Sequence, residues 1–322
     1  MADPKPWIVY EGDDDSGANK RIVLISGDQE YRSEEGLPQL GKILAEHHGF
    51  TCTVLFPINP KTGAIDPGTT TNVPGTQALQ NADLLIIASR FLHLPEEQME
   101  PIDAYINAGK PVIGLRTATH AFRLPVEEDP YNPYHHYSFN YEGEEWPGGF
   151  GRQVLGETWV RHHADSKKTG TRGRVAPGAE SHPILNGVQD GDLFARSDVY
   201  GVRLPLPGHS RVLMLGEVAD GMSPDAPAVE GEVNDPMMPV AWIRQYVAPY
   251  GGTGQAFTTT MGSAQDLRND EMRRLVVNAS YHLLGLDVPA VATVDTVGSY
   301  NPSPRGFDAY KKGVMPAAHR LE

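Results

Sequence analysis

Residues 109–122 read Gly-Lys-Pro-Val-Ile-Gly-Leu-Arg-Thr-Ala-Thr-His-Ala-Phe. The stretch opens with a Gly-Lys-Pro turn, continues with the apolar run 112–115, and then becomes compatible with a helix. A buried strand, a sharp turn and a helix start together form a nucleophile elbow, which holds one side chain at the carboxyl end of a parallel sheet. The residue at the turn is Arg116, which is not a nucleophile.

Strands and helices alternate on both sides of this stretch. Continuous apolar runs of strand length indicate strands buried on both faces, and residues at helical spacing separate them. The rhythm predicts βαβ units and an α/β, doubly wound, mostly parallel sheet with helices on both faces. The predicted strands are 22–26, 51–56, 82–88, 112–115, 211–218, 239–246 and 255–261, and the predicted helices centre on 37–44, 99–106 and 266–284.

The remaining segments show weak periodicity. We expect residues 1–19 to be an irregular lead segment and residues 20–286 to be a single domain. Residues 124–181 are rich in Pro, Tyr, Gly and His, which predicts a long loop-rich insertion after the elbow strand. Residues 287–322 are expected to form an extended tail over the surface.

Composition excludes several classes of protein. The 322 residues carry a formal net charge of -14, which argues against binding to nucleic acid or an anionic membrane. The single cysteine, Cys52, excludes an internal disulfide and a cysteine metal cluster. No apolar run reaches the ~20 residues that a membrane span needs. We expect an acidic soluble protein, cytoplasmic, or exported if a signal peptide has been removed; a homo-oligomer is compatible with the sequence.

Four motifs, taken in their order along the chain, resemble those of one protein family. The elbow, the opening strand with its 28–35 loop, the run 182–185 (His-Pro-Ile-Leu) and the closing stretch 239–261 together resemble the trehalose-utilisation (ThuA-like) family. That family belongs to the class I glutamine-amidotransferase-like superfamily, and the resemblance covers roughly residues 20–286. It implies a flavodoxin-like fold in a bacterial protein of carbohydrate metabolism that acts on sugars, glycosides or keto-sugars.

The chain departs from those families at its most informative positions. The elbow cysteine of the amidotransferases is replaced by Arg116, so a glutaminase is not expected. ThuA-like proteins often carry His at this position, and often Gly-His where this chain has Gly262 and Ser263. Any role that those histidines perform would have to be carried by other residues here.

Three residues are the candidate catalytic groups. His120 could act as the base, Glu30 as the acid and Arg116 as the oxyanion stabiliser, because all three follow predicted strands at one sheet edge. The alternative for Arg116 is a structural role, paired with a buried acid such as Glu30 or Asp28. The alternative for His120 is an interior histidine held by hydrogen bonds.

Further polar residues on the same loops are candidates for substrate binding. They are Asp28, Arg32, Arg90, His93, Thr117, His162 and Tyr134. Because His162 and His163 are adjacent on a predicted short strand, at most one of them should enter the site. Tyr134 belongs to a predicted aromatic lid.

Cofactors are only partly constrained. A divalent metal ion held by His120, His162 and Glu30 is one option, although no known metal motif is present. No nucleotide cofactor is expected, because Gly148–Gly151 neither follows a strand of the sheet nor opens a helix. Two functions stay open: an enzyme acting on a sugar by acid–base chemistry, or a non-catalytic protein that binds a carbohydrate or metabolite.

Overall fold

The structure is a computed structural model that describes residues 5–12, 17 and 19–321. The rest of the predicted lead segment, residues 1–4, 13–16 and 18, lies outside the described part. In the described part no helix combines the length and apolar character that a membrane crossing requires.

A sheet of ten strands forms the centre of the fold. Its order is β1-β3-β2-β4-β5-β12-β11-β10-β7-β8, and β6 pairs with β9 in a separate ladder. The strands are β1 (Trp7–Tyr10), β2 (Arg21–Gly27), β3 (Thr51–Leu55), β4 (Leu84–Ser89), β5 (Val112–Leu115), β6 (Arg161–His162), β7 (Gly170–Val175), β8 (Phe194–Ala195), β9 (Tyr200–Gly201), β10 (Arg211–Ala219), β11 (Met238–Val247) and β12 (Thr253–Thr259).

The sheet is mixed, and the prediction of a mostly parallel sheet is wrong. Only the run β3-β2-β4-β5-β12 is parallel. The other five pairings are antiparallel, at both ends of the sheet. Between β11 and β12 the connection 248–252 is too short to return a strand in the parallel sense, whereas β10 and β11 pair antiparallel across the longer connection 220–237.

Three α-helices in the described chain cover parts of this sheet: α1 (Ser33–Glu46), α2 (Glu96–Asn107) and α3 (Asp270–Leu283). Buried side chains of α1 and α3 share a hydrophobic cluster with Ile22 and Leu24 of β2. Buried side chains of α2 belong to a second cluster with Val23 and Ile25. Alternate residues of β2 thus contribute to two different clusters.

Two strands form where the sequence predicted irregular chain. Within the lead segment, Trp7–Tyr10 pairs with β3. Within the predicted insertion 124–181, Gly170–Val175 joins the main sheet beside β10. Its Thr-Arg-Gly-Arg sequence has little strand propensity, but Arg172 and Arg174 lie opposite β10 and form ion pairs with Glu217.

The elbow after β5 has the predicted sharp turn. Arg116 has a φ of 45°, a left-handed conformation that few residues other than glycine adopt. The helix expected there is a single 3₁₀ segment, Arg116–His120. Gly114 is required just before the turn, since a Cβ at this position would lie 2.6 Å from Leu155 Cδ1.

Residues 287–321 contain one short 3₁₀ helix, Pro316–His319, and otherwise no helix or strand. They cross α1, where the Ser303 amide donates to Glu35 Oε2 at 3.0 Å. They also reach the loop after β2, where the Gly306 amide donates to the Glu30 carbonyl at 2.8 Å. The tail is therefore tied to the carboxyl edge of the parallel strands.

Candidate functional site

The carboxyl ends of three neighbouring parallel strands meet at one small cavity of about 50 Å³. The loops after β2, β4 and β5 contribute Glu30, Arg90 and Arg116. Seven further residues, some of them predicted candidates and some new, complete the lining. The full lining is Glu30, Tyr31, Arg90, Phe91, Arg116, Thr117, His120, Trp159, His162 and Tyr200. We call this space the edge cavity.

Arg116 is engaged by protein groups rather than free for a ligand. Its Nη1 donates to the carbonyls of Asp198 and Thr260, both at 2.7 Å. Its Nη2 donates to Asp198 Oδ1 at 2.6 Å and to Tyr31 Oη at 2.9 Å. The side chain is only 2% exposed. Arg116 therefore takes the structural alternative, but its acid is Asp198 and not Glu30 or Asp28.

Asp198 is the centre of the polar network. It is fully buried, and its second carboxylate oxygen lies 2.8 Å from His162 Nδ1. Arg305 Nη1 of the tail lies 3.5 Å from Oδ1. Burial acts to raise the pKa of Asp198, but Arg116 and His162 outweigh it and the pKa is lowered. Asp198 is thus held as a carboxylate.

His162 combines a fixed ring with access to solvent. The Asp198 carboxylate can only accept a hydrogen bond, so Nδ1 of His162 carries the proton that is donated to it. In the neutral ring Nε2 is then the nitrogen that can accept a proton. The side chain is 46% exposed and lines the edge cavity. A carboxylate that orients a histidine in this way is the arrangement of a general base. His163 instead hydrogen-bonds the Val233 carbonyl at 2.8 Å, so only one of the two histidines enters the site.

His120 is buried among aromatic rings. It lies between Phe91 and Trp159, with ring centroids 5.3 and 5.7 Å away. Burial, with the nearby cations Arg90 and Arg116, lowers the pKa of His120 well below its usual range. His120 is therefore neutral near pH 7, and its Nδ1 lies 3.3 Å from Thr119 Oγ1.

Glu30 and Arg90 are partly exposed at the cavity. Arg90 stacks on Phe91, 4.3 Å from the ring centroid, and donates to Gln29 Oε1 at 3.2 Å. A carboxylate, a guanidinium and two aromatic rings, those of Phe91 and Trp159, thus border the same space. Such a lining can bind hydroxyl groups and cover an apolar face of a ligand.

Asp28 and Thr117 hold the frame of the site. Thr117 Oγ1 donates to Asp28 Oδ2, which ties the elbow to the loop after β2. Asp28 Oδ1 accepts from the amides of Glu30 and Tyr31 at 2.7 and 3.0 Å. Asp28 is 1% exposed and does not line the edge cavity, so this arrangement does not bring it to the predicted contact with substrate.

Three predicted residues lie elsewhere. Arg32 is buried beside Glu34 and does not line the edge cavity. His93 faces a separate depression, with Nδ1 3.4 Å from Glu128. Tyr134 packs against Tyr137 instead, with ring centroids 6.4 Å apart.

The proposed metal trio is not a preformed site. Across residues 5–12, 17 and 19–321, no three His, Cys, Asp or Glu side chains are grouped so that they could hold a metal ion. His120, His162 and Glu30 share the cavity, but His162 uses Nδ1 for Asp198, and Arg90 and Arg116 add positive charge beside them. Cations at this position disfavour a divalent metal.

Sequence reasoning missed Asp198, Tyr31, Tyr200 and Arg305. Tyr200 Oη donates to the Arg116 carbonyl at 2.7 Å and supports the strained turn. Tyr31 follows the predicted loop residue Glu30 directly, so position alone could have identified it. Asp198 and Tyr200 lie in a stretch without clear periodicity, and Arg305 is in the tail, so no local signal marked them.

Comparisons with known proteins give a likeness in fold. No protein-family model matches the chain, and no curated protein matches it. A solved structure described as a ThuA-like protein from Parabacteroides merdae matches with a TM-score of 0.50 and 14% identity, over 86% of this chain and 96% of that one. An exo-β-1,4-mannosidase from an Opitutaceae bacterium matches with a TM-score of 0.31 and 11% identity, over 81% of this chain and 35% of that one. The first match supports a ThuA-like fold.

Proposed function

We propose that this chain is an enzyme that acts on a sugar, glycoside or keto-sugar by acid–base chemistry at the edge cavity. The observation that carries the proposal is the hydrogen bond between Asp198 and His162, which leaves His162 Nε2 basic beside the cavity. The likeness to a ThuA-like protein adds an association with trehalose utilisation. We further propose a doubly wound fold, in which α1 and α3 lie on one sheet face and α2 on the other.

In this proposal His162 is the base and Asp198 its positioning residue. His162 Nε2 removes a proton from a hydroxyl group, or from carbon next to a keto group, and Asp198 stabilises the imidazolium that results. Arg116 holds Asp198 ionised and in place. His120 stays neutral and offers a hydrogen bond. Glu30 is the remaining candidate acid.

A second candidate is a non-catalytic protein that binds a carbohydrate. Two observations favour it: the elbow carries Arg116 where a nucleophile would stand, and the enclosed volume of about 50 Å³ holds only a small part of a sugar. Small-molecule sites are usually several times larger. The rest of a ligand would have to lie outside, towards the partly exposed Trp159 and Arg90.

The test is a product screen with two matched variants. Wild type, His162→Gln and His163→Gln would be incubated with a panel of glycosides, disaccharides and keto-sugars, and products identified by mass spectrometry. We expect turnover by wild type and His163→Gln, and a loss of at least about 100-fold in His162→Gln, the scale of one general base.

The outcomes separate the two functions. Binding by calorimetry without any product from wild type would favour the binding protein. Equal turnover by both variants would exclude His162 as the base, because His163 lies outside the cavity and serves as the control for the loss of a histidine.

A further inference from the structure

A second cavity lies between α1 and the C-terminal tail. Its volume is about 320 Å³, and it shares no lining residue with the edge cavity. Its lining includes Glu34, Glu35, Pro38 and Gln39 of α1, together with Ile65 and Val314. We call it the tail cavity. Its volume is at the lower end of the range for small-molecule sites.

The wall formed by α1 carries buried polar atoms without hydrogen bonds to the described chain. These are both carboxylate oxygens of Glu34, Oε1 of Glu35 and Nε2 of Gln39. Glu34 is 5% exposed and Gln39 is 4% exposed. Arg32 Nε approaches Glu34 Oε1 at 3.4 Å, but without hydrogen-bond geometry. Unsatisfied buried polar groups are costly, and a bound ligand is one explanation for keeping them.

The unmet groups define the chemistry of the ligand. Glu35 Oε1 needs a hydrogen-bond donor and Gln39 Nε2 needs an acceptor. The carboxyl group of Glu34, whose pKa burial raises to about 8, keeps its proton near neutral pH and can both donate and accept. A simple amine could donate to the two acids but could not accept from Gln39, and an anion would be repelled by the charge of Glu35. Hydroxyl groups both donate and accept. Pro38, Ile65 and Val314 supply apolar wall for the carbon skeleton.

We propose that the tail cavity is a second binding site, for a polyhydroxyl compound of monosaccharide size. Glu34 and Gln39 are its central hydrogen-bonding residues. The inference does not depend on catalysis at the edge cavity, because it rests on other residues and another cavity.

The experiment measures binding to the full chain by calorimetry. The probes are glucose, myo-inositol and sorbitol. Ethanolamine, an amine with a single hydroxyl group, is the control for a ligand that binds through its amine. Wild type is compared with Glu34→Leu, Gln39→Leu and, as a control at the other cavity, His162→Gln. Circular dichroism checks that each variant is folded. If Glu34→Leu does not fold, Glu34→Gln replaces it as the more conservative variant.

We expect at least one polyhydroxyl probe to bind wild type and His162→Gln equally. Its affinity should fall at least 10-fold in Gln39→Leu and in the Glu34 variant. The proposal would be overturned if no probe binds, or if only ethanolamine binds. It would also be overturned if binding is lost only in His162→Gln, or if it is unchanged in the Glu34 and Gln39 variants. A failed product screen at the edge cavity would leave these results unaffected.

Discussion

Asp198 and Glu34 are both buried carboxylates, 0% and 5% exposed, yet they differ in ionisation. Asp198 accepts from Arg116 and His162, and its pKa is lowered. Glu34 has one nearby cation, Arg32, and no hydrogen bond within the described chain. Burial raises the pKa of Glu34 to about 8.

The difference shows that burial raises the pKa of a buried acid unless nearby cations and hydrogen-bond donors outweigh it, as Arg116 and His162 do for Asp198. At the edge cavity the protein itself satisfies Asp198, which fixes a histidine for chemistry. At the tail cavity no group of the described chain hydrogen-bonds the carboxyl oxygens of Glu34, which is consistent with the proposed ligand site. Substitutions that exchange or remove these partners test the comparison.

The largest expected effect follows from Asp198→Ala. The change leaves the buried guanidinium of Arg116 without its carboxylate, so we expect a loss of about 3 to 5 kcal/mol in the free energy of unfolding. Urea unfolding measures it. Asp198→Asn should lose less, because its carbonyl can still accept from Arg116. A loss below about 1 kcal/mol in Asp198→Ala would show that the pair contributes little.

Glu34→Gln should stabilise the protein, and more so at higher pH. The usual pKa of 4.5 in the unfolded chain rises to about 8 on folding, so the folded state retains a proton that the unfolded state releases. Wild-type stability therefore falls as pH rises between these values, by up to about 1.4 kcal/mol per pH unit. From pH 5 to pH 8 the variant should gain about 2 to 4 kcal/mol over wild type.

Glu35→Gln is the matched control for that series. Glu35 Oε2 accepts from the Ser303 amide and from Lys311 Nζ, both at 3.0 Å, and the pKa of Glu35 is lowered although burial opposes this. Between pH 5 and pH 8 the free energy of unfolding of Glu35→Gln should not rise relative to that of wild type. Parallel pH profiles for the two variants would show that the hydrogen bonds and the ammonium group at Glu35 Oε2 do not set it apart from Glu34.

The smallest effect is expected for Arg305→Gln. Arg305 is a second arginine beside Asp198, at 3.5 Å, and the hydrogen bonds of Arg116 and His162 to Asp198 remain when it is removed. We expect a loss of less than about 1 kcal/mol, measured by urea unfolding beside the exposed control Lys312→Gln. A loss as large as that of Asp198→Ala would mean that the tail, and not Arg116, holds the carboxylate.

Local patterns predicted much of this molecule. The apolar runs at β2, β4 and β5 placed Glu30, Arg90 and Arg116 at one sheet edge, and these residues do line one cavity. Gly114 and the short apolar run predicted the sharp turn, which the φ of Arg116 confirms. These features depend on a few consecutive residues, which is why sequence reasoning reached them.

Long-range pairing escaped that reasoning. Asp198 is 82 residues from Arg116 along the chain, in a segment without periodicity, so nothing local indicated that it, and not Glu30 or Asp28, pairs with Arg116. The antiparallel half of the sheet was missed for a similar reason. Gly170–Val175 forms a strand through its pairing with β10 and β8, supported by ion pairs to Glu217, and its own propensity gave no signal.

The most direct test of the central claim is the protonation of the His162 ring. Nitrogen-15 NMR of histidine-labelled protein, assigned by the signals missing in His162→Gln, distinguishes the two tautomers. We predict a proton on Nδ1 and an unprotonated Nε2 in the neutral ring of wild-type His162. This preference should be lost or reversed in Asp198→Asn, whereas His163 should be unchanged. A proton on Nε2 in wild type would contradict it, because His162 could not then be a base oriented by Asp198.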